Sequence, residues 1–481
     1  MSEKKSKSWI VPVILLLVIV AAVVIFMFII DDDGKKNGST LKNGQLEAKL
    51  TNIDDYIDYV ALTQDEYKVD YYTVKIYQAF YDNIDNLMAG GDTISLASYL
   101  TSSELNEIGS YMGQAASGAL TSLIYDNPEL FWLSFDNMVI EATYSSPFSN
   151  TVTDITFYVE GKSNFYETGF YSQLQINSAV EQMRLARSEI YAQMETELTE
   201  NYTDYDAVVY LNDYLTNHVE YDMTLSRNLI HTAYGALVNG IAVCDGYAYA
   251  LEYLLDGLGI TNLVGAGYVA DGQSEPEGHM WSYVQLYGNW YGIDVTWNDP
   301  VIIDPDATPE EIQHVKDENR HNYLLMGGDY GQGEGFYDEG RYIQNYIYYF
   351  GEDYYEFPVP EISKNDFVMP TITSIDVTPV YDDGTYLGER VTITGENILD
   401  NYTFAYAVST DGGESYSDFT ECSQLFILTE NDGDGLYKFR LQTTDGEVIL
   451  EYQTVITIDV QEVSLSLIDT EEILYANKEI A

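Results

Sequence analysis

An apolar segment near the amino end constrains this chain more than any other feature. It covers Ile10–Ile30 with Pro12 as its only interruption, follows a lysine-rich start and ends at the acidic run 31–33. At about 1.5 Å of rise per residue, a helix of this length crosses a hydrocarbon layer about 30 Å thick. Basic residues before the segment and acidic residues after it favour an amino terminus inside the cell and the bulk of the chain outside.

A cleaved signal peptide is the alternative interpretation. Its apolar region usually has about 7–15 residues and ends at a small-x-small cleavage site, whereas this segment ends in Phe28-Ile29-Ile30-Asp31. We therefore predict a transmembrane anchor at 10–30, between a cytoplasmic basic stub at 1–9 and a spacer at 31–66. The predicted location is the cell membrane, as a single-pass protein whose remaining chain is extracellular.

Charge and cysteine content exclude several classes of function. The 481 residues include 78 acidic and 21 basic side chains, which give a formal net charge of −57. A phosphate backbone requires a basic face, so we predict no nucleic-acid partner. A lysine-rich or cell-wall-associated protein or peptide suits this charge better. Two cysteines exclude a disulfide-rich scaffold and a Cys₄ zinc site.

The region after the spacer has mixed periodicity. Apolar residues recur at helical spacing from 77 to 87, before the Gly90-Gly91 pair that would end a helix. Extended stretches follow at 131–144 and 151–160. We predict a helical and β region at 67–200, packed on the core that follows it.

The carboxyl-terminal part has a different pattern. Pro358, Pro360 and Pro370 mark a boundary. Short alternating strands separated by turns then predict an immunoglobulin-like β-sandwich at 370–462, followed by an acidic tail at 463–481. The loop Asn431-Asp432-Gly433-Asp434-Gly435 could ligate calcium but lacks the glutamate of an EF-hand loop, so a solvated turn is the favoured interpretation. We predict no other cofactor and no metal site, and we expect Cys422 to be a free thiol.

A cysteine stands where a helix is predicted to begin. Apolar residues recur at helical spacing after Cys244, and Gly257 and Gly259 end the run. The positive end of a helix favours a thiolate over a thiol. The alternative is a small buried apolar residue, which is the more common role of a free cysteine.

A histidine and an aspartate occupy the two strands of a predicted hairpin. If Tyr287-Gly288 is a two-residue loop, His279 and Asp294 are diagonal neighbours on one face, close enough for an imidazole–carboxylate contact. A Gly288-Asn289 loop would separate them by about 13 Å along the strand, and a three-residue loop would place them on opposite faces. Alone, each residue is more often structural. Together with Cys244 they form a nucleophile, a base and an orienter.

These segments resemble the transglutaminase-like superfamily. The stretch Gly240–Ala248, with Tyr234–Leu237 before it, resembles the nucleophile segment of that family. Gly278–Trp281 resembles its histidine motif, and Trp290–Pro300 resembles its aspartate motif. The upstream segment Asp126–Trp132 resembles one found in bacterial members.

The resemblance implies an α+β fold with a papain-like transglutaminase core at 201–357. It implies a Cys244-His279-Asp294 triad that attacks amide carbonyls through an acyl-thioester, followed by hydrolysis or amine transfer. The Cys244 backbone amide would be one oxyanion donor, and the second is left open. Met280 and Ser282 replace the family's usual Ala and Asn, which leaves the triad intact. The expected substrate-cleft residues are Trp281, Trp290, Trp297 and Tyr247. For at least one of Trp281 and Trp290, packing in the core is the favoured role.

A second class of function fits the same pattern. A bacterial surface adhesion or scaffold protein could keep the fold without turnover, and the predicted anchor and β-sandwich suit that class. The intact set of three catalytic residue types argues against it, because a scaffold has no need of all three.

Overall fold

A computed structural model provides the structure of the chain. The residues it describes are 68–198, 202–269, 277–301, 307–328, 336, 341–343, 346–348, 354–356, 360–383, 385–429, 431–444 and 446–458. The predicted anchor, stub, spacer and acidic tail lie outside these residues. Within them, no helix combines the length and the apolar character that crossing a bilayer requires.

The described residues fall into two compact units. The first draws on residues within 1–193, 208–285 and 290–366, and the second on residues within 194–207, 286–289 and 367–481. The first unit mixes helices and strands, and strands dominate the second.

The first unit begins with a group of helices and a small antiparallel sheet. The sheet has the strand order β1-β3-β2. Helices α1 and α4 pack against each other, and α1 buries Tyr72, Ile76 and Phe80. The elements are α1 (Lys68–Tyr81), α2 (Ile84–Met88), β1 (Thr93–Ser95), α3 (Ser102–Glu107), α4 (Met112–Tyr125), β2 (Met138–Tyr144) and β3 (Val152–Val159).

Two sequence predictions are wrong in this region. The helical pattern over 77–87 is two helices, because the Asn83 side chain donates to the Ala79 carbonyl at 2.8 Å and ends α1. The strand predicted over 131–144 begins only at Met138. Residues 131–134 are buried in a non-strand conformation, and the Glu167 amide donates to the Trp132 carbonyl at 2.7 Å.

The segment that follows contains the candidate catalytic residues. Its main sheet has the strand order β8-β7-β6-β9, and helix α7 packs on β6. The elements are α5 (Gln173–Glu197), α6 (Asp204–His218), β4 (Glu220–Tyr221), β5 (Ile241–Ala242), α7 (Cys244–Gly257), β6 (Asn262–Val269), β7 (Glu277–Leu286), β8 (Asn289–Ile293), α8 (Val295–Asn298), α9 (Pro309–Asn319), β9 (Arg341–Ile343), β10 (Tyr346–Tyr348) and β11 (Tyr354–Glu356).

One face of this sheet is packed with aromatic side chains. The buried cluster contains Leu263, Trp281, Tyr283, Trp290, Met326 and Phe336. Gly265 on β6 lies directly under the Trp281 ring, where an added Cβ would come within 2.4 Å of the indole nitrogen. Only glycine lets β6 and the tryptophan approach this closely.

The hairpin between β7 and β8 turns at two residues. Tyr287 and Gly288 have φ angles of 50° and 78°. Positive φ at both central positions is the signature of the type I′ turn, which matches the twist of the flanking strands. The first of the three predicted registers is therefore confirmed.

The second unit contains antiparallel sheets, as the alternating pattern predicts. Within the described residues, one sheet has the order β12-β13-β16 and another the order β15-β14-β17-β18. Their buried side chains include Val391, Ile393, Phe404, Phe439 and Leu441. The strands are β12 (Thr371–Asp382), β13 (Thr385–Glu396), β14 (Tyr402–Ser409), β15 (Thr420–Cys422), β16 (Leu425–Leu428), β17 (Gly435–Thr443) and β18 (Val448–Ile456). That this unit is an immunoglobulin-like sandwich stays a prediction.

Candidate active site

Cys244 is the first residue of helix α7, as the sequence predicts. The helix start is held close to the preceding chain, since the Val243 amide donates to the Ile230 carbonyl at 3.0 Å. Gly246 allows this approach, because a Cβ there would lie 2.5 Å from the same carbonyl oxygen. The residue as a whole is only partly buried, although its thiol is enclosed, and its place at the helix start makes Cys244 a candidate nucleophile.

The surroundings of the Cys244 thiol differ from the sequence expectation. Burial and the neighbouring Asp245 carboxylate raise its pKa well above the usual range, with a smaller contribution from Asp294. Hydrogen bonds from the Met280 and Asp245 backbone amides lower the pKa but do not offset those effects. The resting group is therefore a thiol, and the helix terminus alone does not produce a thiolate.

His279 and Asp294 form a buried pair. His279 Nε2 lies 2.7 Å from Asp294 Oδ2, and the side chains are 7% and 0% exposed. An ionised carboxylate only accepts hydrogen bonds, so Nε2 carries the proton and Nδ1 presents a lone pair. This is the tautomer that a general base requires. The predicted pairing is confirmed, and the catalytic role of the pair stays a prediction.

Asp294 has a second contact that fixes its orientation. Its Oδ1 atom accepts a hydrogen bond from the Trp297 amide at 3.0 Å, which caps the short helix α8. The Asp294 amide donates to the Tyr323 carbonyl at 2.9 Å. The carboxylate therefore cannot rotate away from the imidazole without losing the cap.

The predicted cleft residues divide into buried and partly exposed groups. Trp281, Trp290 and Tyr247 are 1%, 9% and 0% exposed. The cleft prediction is therefore wrong for these three side chains. They pack inside the protein, where the aromatic sheet face and the start of α7 enclose them. Trp297 is partly exposed, and its ring centroid lies 5.6 Å from that of His279. The buried Trp281 ring also lies near the imidazole, with 6.2 Å between the ring centroids, so Trp297 is the partly exposed member of the set beside His279.

Tyr247 instead links two helices through a buried carboxylate. Its hydroxyl donates to Asp299 Oδ2 at 2.7 Å, and Lys316 Nζ lies 2.6 Å from Asp299 Oδ1. Burial raises the pKa of Asp299, and the Lys316 ammonium opposes this shift. Lys316 also donates to the Thr216 carbonyl at 2.7 Å. These contacts join α6, α7 and α9.

Sequence reasoning missed a second histidine–aspartate pair. His231 Nδ1 lies 2.8 Å from Asp245 Oδ2, and Asp245 is fully buried beside Cys244. Burial lowers the pKa of His231, but the Asp245 carboxylate outweighs this and raises the pKa above its usual value. The Gly246 amide donates to the other Asp245 oxygen at 2.8 Å. A Cys-Asp-Gly sequence at a helix start was the available signal, but His231 lies in a turn, so no strand register relates it to Asp245.

An apolar cavity of about 300 Å³ lies in the first unit. Its wall includes Leu120, Ile124, Phe131 and Met138, and His231 also lines it. It was not predicted, because its lining comes from segments far apart in sequence.

The candidate calcium loop uses its carboxylates within the protein. Asp432 Oδ1 accepts from the Tyr406 hydroxyl at 2.8 Å, and Oδ2 accepts from the Thr429 amide at 2.7 Å. Asp434 Oδ1 accepts from the Ile458 amide at 2.6 Å. Across the described ranges, no cluster of three or more His, Cys, Asp or Glu residues is arranged to hold a metal ion. The favoured interpretation of this loop as a solvated turn, rather than a calcium site, stays a prediction.

Comparison with known proteins adds a family match for part of the chain. Residues 192–295 match the transglutaminase-like superfamily. No curated protein shows a significant match to the chain. The matched range contains all three candidate catalytic residues.

Two solved structures resemble the chain only in part. One is described as a TGase; it is 13% identical with a TM-score of 0.23, over 45% of this chain and 53% of its own. The other is described as a candidate cysteine protease from Cytophaga hutchinsonii; it is 22% identical with a TM-score of 0.19, over 24% of this chain and 37% of its own. This chain thus spans about half or less of the length of these structures. Residues 192–295 are transglutaminase-like, and they include Cys244, His279 and Asp294.

Proposed function

We propose that this protein is a cysteine enzyme that attacks amide carbonyls of protein or peptide substrates. Cys244 is the nucleophile, His279 the base and Asp294 the orienter. The observation that carries the proposal is the buried His279–Asp294 hydrogen bond of 2.7 Å. The backbone amide of Met280, the next residue after His279, reaches the Cys244 thiol, which supports a shared site for the pair and the nucleophile.

The reaction begins from the neutral thiol. His279 Nδ1 takes the proton as Cys244 Sγ bonds to the carbonyl carbon, and the carbonyl electron pair moves to oxygen. Asp294 steadies the positive charge that forms on the imidazole. Collapse of the tetrahedral species expels ammonia or an amine, which takes the proton from His279, and leaves an acyl-thioester. Attack by water then gives hydrolysis, and attack by a lysine amine gives a new amide.

The proposed setting is an outward-facing, membrane-anchored protein on a bacterial surface. Its support is the apolar segment 10–30 between basic and acidic flanks. The net charge of −57 favours a lysine-rich substrate or amine donor, and high salt should weaken that attraction. An immunoglobulin-like second unit would suit this location.

The first experiment measures labelling of both cysteines by iodoacetamide near neutral pH. His279→Ala should slow labelling of Cys244 by at least about tenfold, since general-base assistance is worth about 10²-fold or more. Cys422 in the same sample is the internal control and should label equally in both proteins. Equal labelling of Cys244 in the two proteins would contradict the assignment of His279 as base.

A second experiment separates the two outcomes of the acyl-thioester. The protein is incubated with glutamine-bearing proteins and a small amine, and the products are measured by mass spectrometry. An amine adduct indicates transfer, whereas cleavage or deamidation indicates hydrolysis. If neither product forms with any substrate tested, the result favours the alternative function.

That alternative is a surface adhesion or scaffold protein that keeps the fold without turnover. The raised pKa of the Cys244 thiol is compatible with this alternative, because a neutral thiol reacts only if His279 removes its proton. A scaffold should bind partners equally well after Cys244→Ala, whereas an enzyme loses its product.

A further inference from the structure

A tyrosine outside the triad is held against the segment that leads into Cys244. Tyr221 ends strand β4, and its Cα partner in the parallel strand β5 is Ala242. Its two neighbours are hydrogen-bonded to the same segment. The Glu220 amide donates to the Gly240 carbonyl at 2.9 Å, and the Asp222 amide donates to the Ala242 carbonyl at 2.9 Å. The backbone of Tyr221 is therefore fixed relative to the nucleophile.

The ring of Tyr221 lies over the first turn of α7. It packs against Ile230, Ile241 and Val243, and it stacks on Tyr247 with 6.5 Å between ring centroids. Val243 directly precedes Cys244, and Tyr247 follows it by about one helical turn. Contacts on both sides of Cys244 restrict where the phenol oxygen can point.

The charges around the phenol oxygen keep its proton in place. Burial raises the pKa of Tyr221, and Cys244, Asp245 and Asp294 raise it further. The hydroxyl is therefore within electrostatic reach of the nucleophile and stays protonated at neutral pH. A protonated phenol is a hydrogen-bond donor.

We propose that the Tyr221 hydroxyl is the second oxyanion donor, beside the Cys244 backbone amide. This inference rests on the proposed function, because it needs the tetrahedral species formed by attack of Cys244. In that step the S–C bond forms, the carbonyl electron pair moves to oxygen and the thiol proton goes to His279. Tyr221 donates a hydrogen bond to the new oxyanion and keeps its own proton. The amide of a first-turn helical residue is a natural partner, since it has no acceptor within the helix.

The test compares two reactions of the same thiol in the full chain. Acylation by p-nitrophenyl acetate forms a tetrahedral oxyanion, whereas alkylation by iodoacetamide does not. Tyr221→Phe removes only the hydroxyl and should lower the acylation rate by about 10²-fold, the typical effect of losing one oxyanion donor. Alkylation should stay within about twofold of the wild type. Tyr214→Phe on α6 is the matched control and should change neither rate.

Three other outcomes are possible, and each would overturn either the role of Tyr221 or the proposed function. Equal acylation of wild type and Tyr221→Phe would overturn the oxyanion role while leaving the proposed function standing. Parallel losses of acylation and alkylation would also overturn it, since they would mean that Tyr221 sets the fold or the thiol reactivity. A wild-type protein that alkylates but never acylates would overturn the proposed function itself. The thermal unfolding midpoint of each variant shows whether its fold is retained.

Discussion

The two cysteines of this chain have similar protonation but different surroundings. Both are free and partly accessible, and burial raises the pKa of both, that of Cys422 to about 12. Cys422 ends the short strand β15, and burial is the cause of its shift. Cys244 begins a helix, with backbone amides, carboxylates and a histidine–aspartate pair around it. A perturbed thiol is therefore weak evidence of function, and the groups that converge on it carry the assignment.

Replacing each cysteine tests this contrast most strongly. Cys244→Ala should reduce acylation by p-nitrophenyl acetate by about 10⁴-fold or more, because the covalent route is lost. Cys422→Ala should leave the acylation rate unchanged. The burst of p-nitrophenolate measures both, and a large loss in the Cys422 variant would invert the comparison.

The orienting carboxylate should have the next largest effect. Asp294→Asn can still accept the Trp297 amide, so the α8 cap is kept, but it presents an N–H group to His279 and stabilises the wrong tautomer. We expect the turnover to fall about 10³- to 10⁴-fold with little change in the unfolding midpoint. Asp432→Asn in the second unit is the control and should leave turnover intact. Full activity of Asp294→Asn would contradict the assignment of Asp294 as the residue that orients His279.

Lys316→Met should affect stability rather than chemistry. It leaves Asp299 buried without its cation, which should lower the free energy of unfolding by about 3 kcal/mol. Denaturant titration measures the change. The Lys438–Glu451 pair in the second unit, with 3.4 Å between Nζ and Oε2, provides a second ion pair for comparison. Lys438→Met should cost less, because Arg440 also contacts Glu451 and remains to balance its charge.

The pH dependence of labelling should separate the base from the thiol. In His279→Ala, alkylation of Cys244 should rise about tenfold per pH unit from 7 to 9, because the thiol pKa lies above that range and only the growing thiolate fraction reacts. Cys422 should follow the same slope in both proteins. A plateau for Cys244 near neutral pH would mean that its thiolate is already formed.

Asp245→Asn should produce the smallest of these effects. Removing the negative charge beside the thiol should lower the pKa of Cys244 and speed its alkylation at pH 8 roughly tenfold. The Asn can still accept the Gly246 amide, so the start of α7 should be kept. The rate for Cys422 is the reference, and unchanged labelling of Cys244 would show that Asp245 does not set its pKa.

Local patterns in the sequence predicted much of the core. Helix α7 spans Cys244–Gly257, as the apolar spacing after Cys244 and the glycines that end the run predict. The hairpin register was open among three choices. The positive φ angles of Tyr287 and Gly288 show that these two residues form the turn. The local sequence does not reveal which of the two overlapping dipeptides, Tyr287-Gly288 or Gly288-Asn289, forms the turn.

Long-range packing accounts for what the sequence did not predict. The Trp281 and Trp290 rings face a buried cluster rather than a cleft, because Phe336 and Met326 come from later segments to cover them. His231 reaches Asp245 from a separate loop. Tyr221 approaches the nucleophile because strand β4 pairs in parallel with strand β5. Each strand has two residues, too few for an alternating apolar and polar pattern to predict it.

The sequence by itself determined the three residue types of the candidate site, their order and the elements that carry them, because helix starts and strands follow from nearby residues. Only the tertiary structure decided that His279 meets Asp294 and that Cys244 rests as a thiol. Both depend on distance, burial and charge, which arise when separate segments pack together.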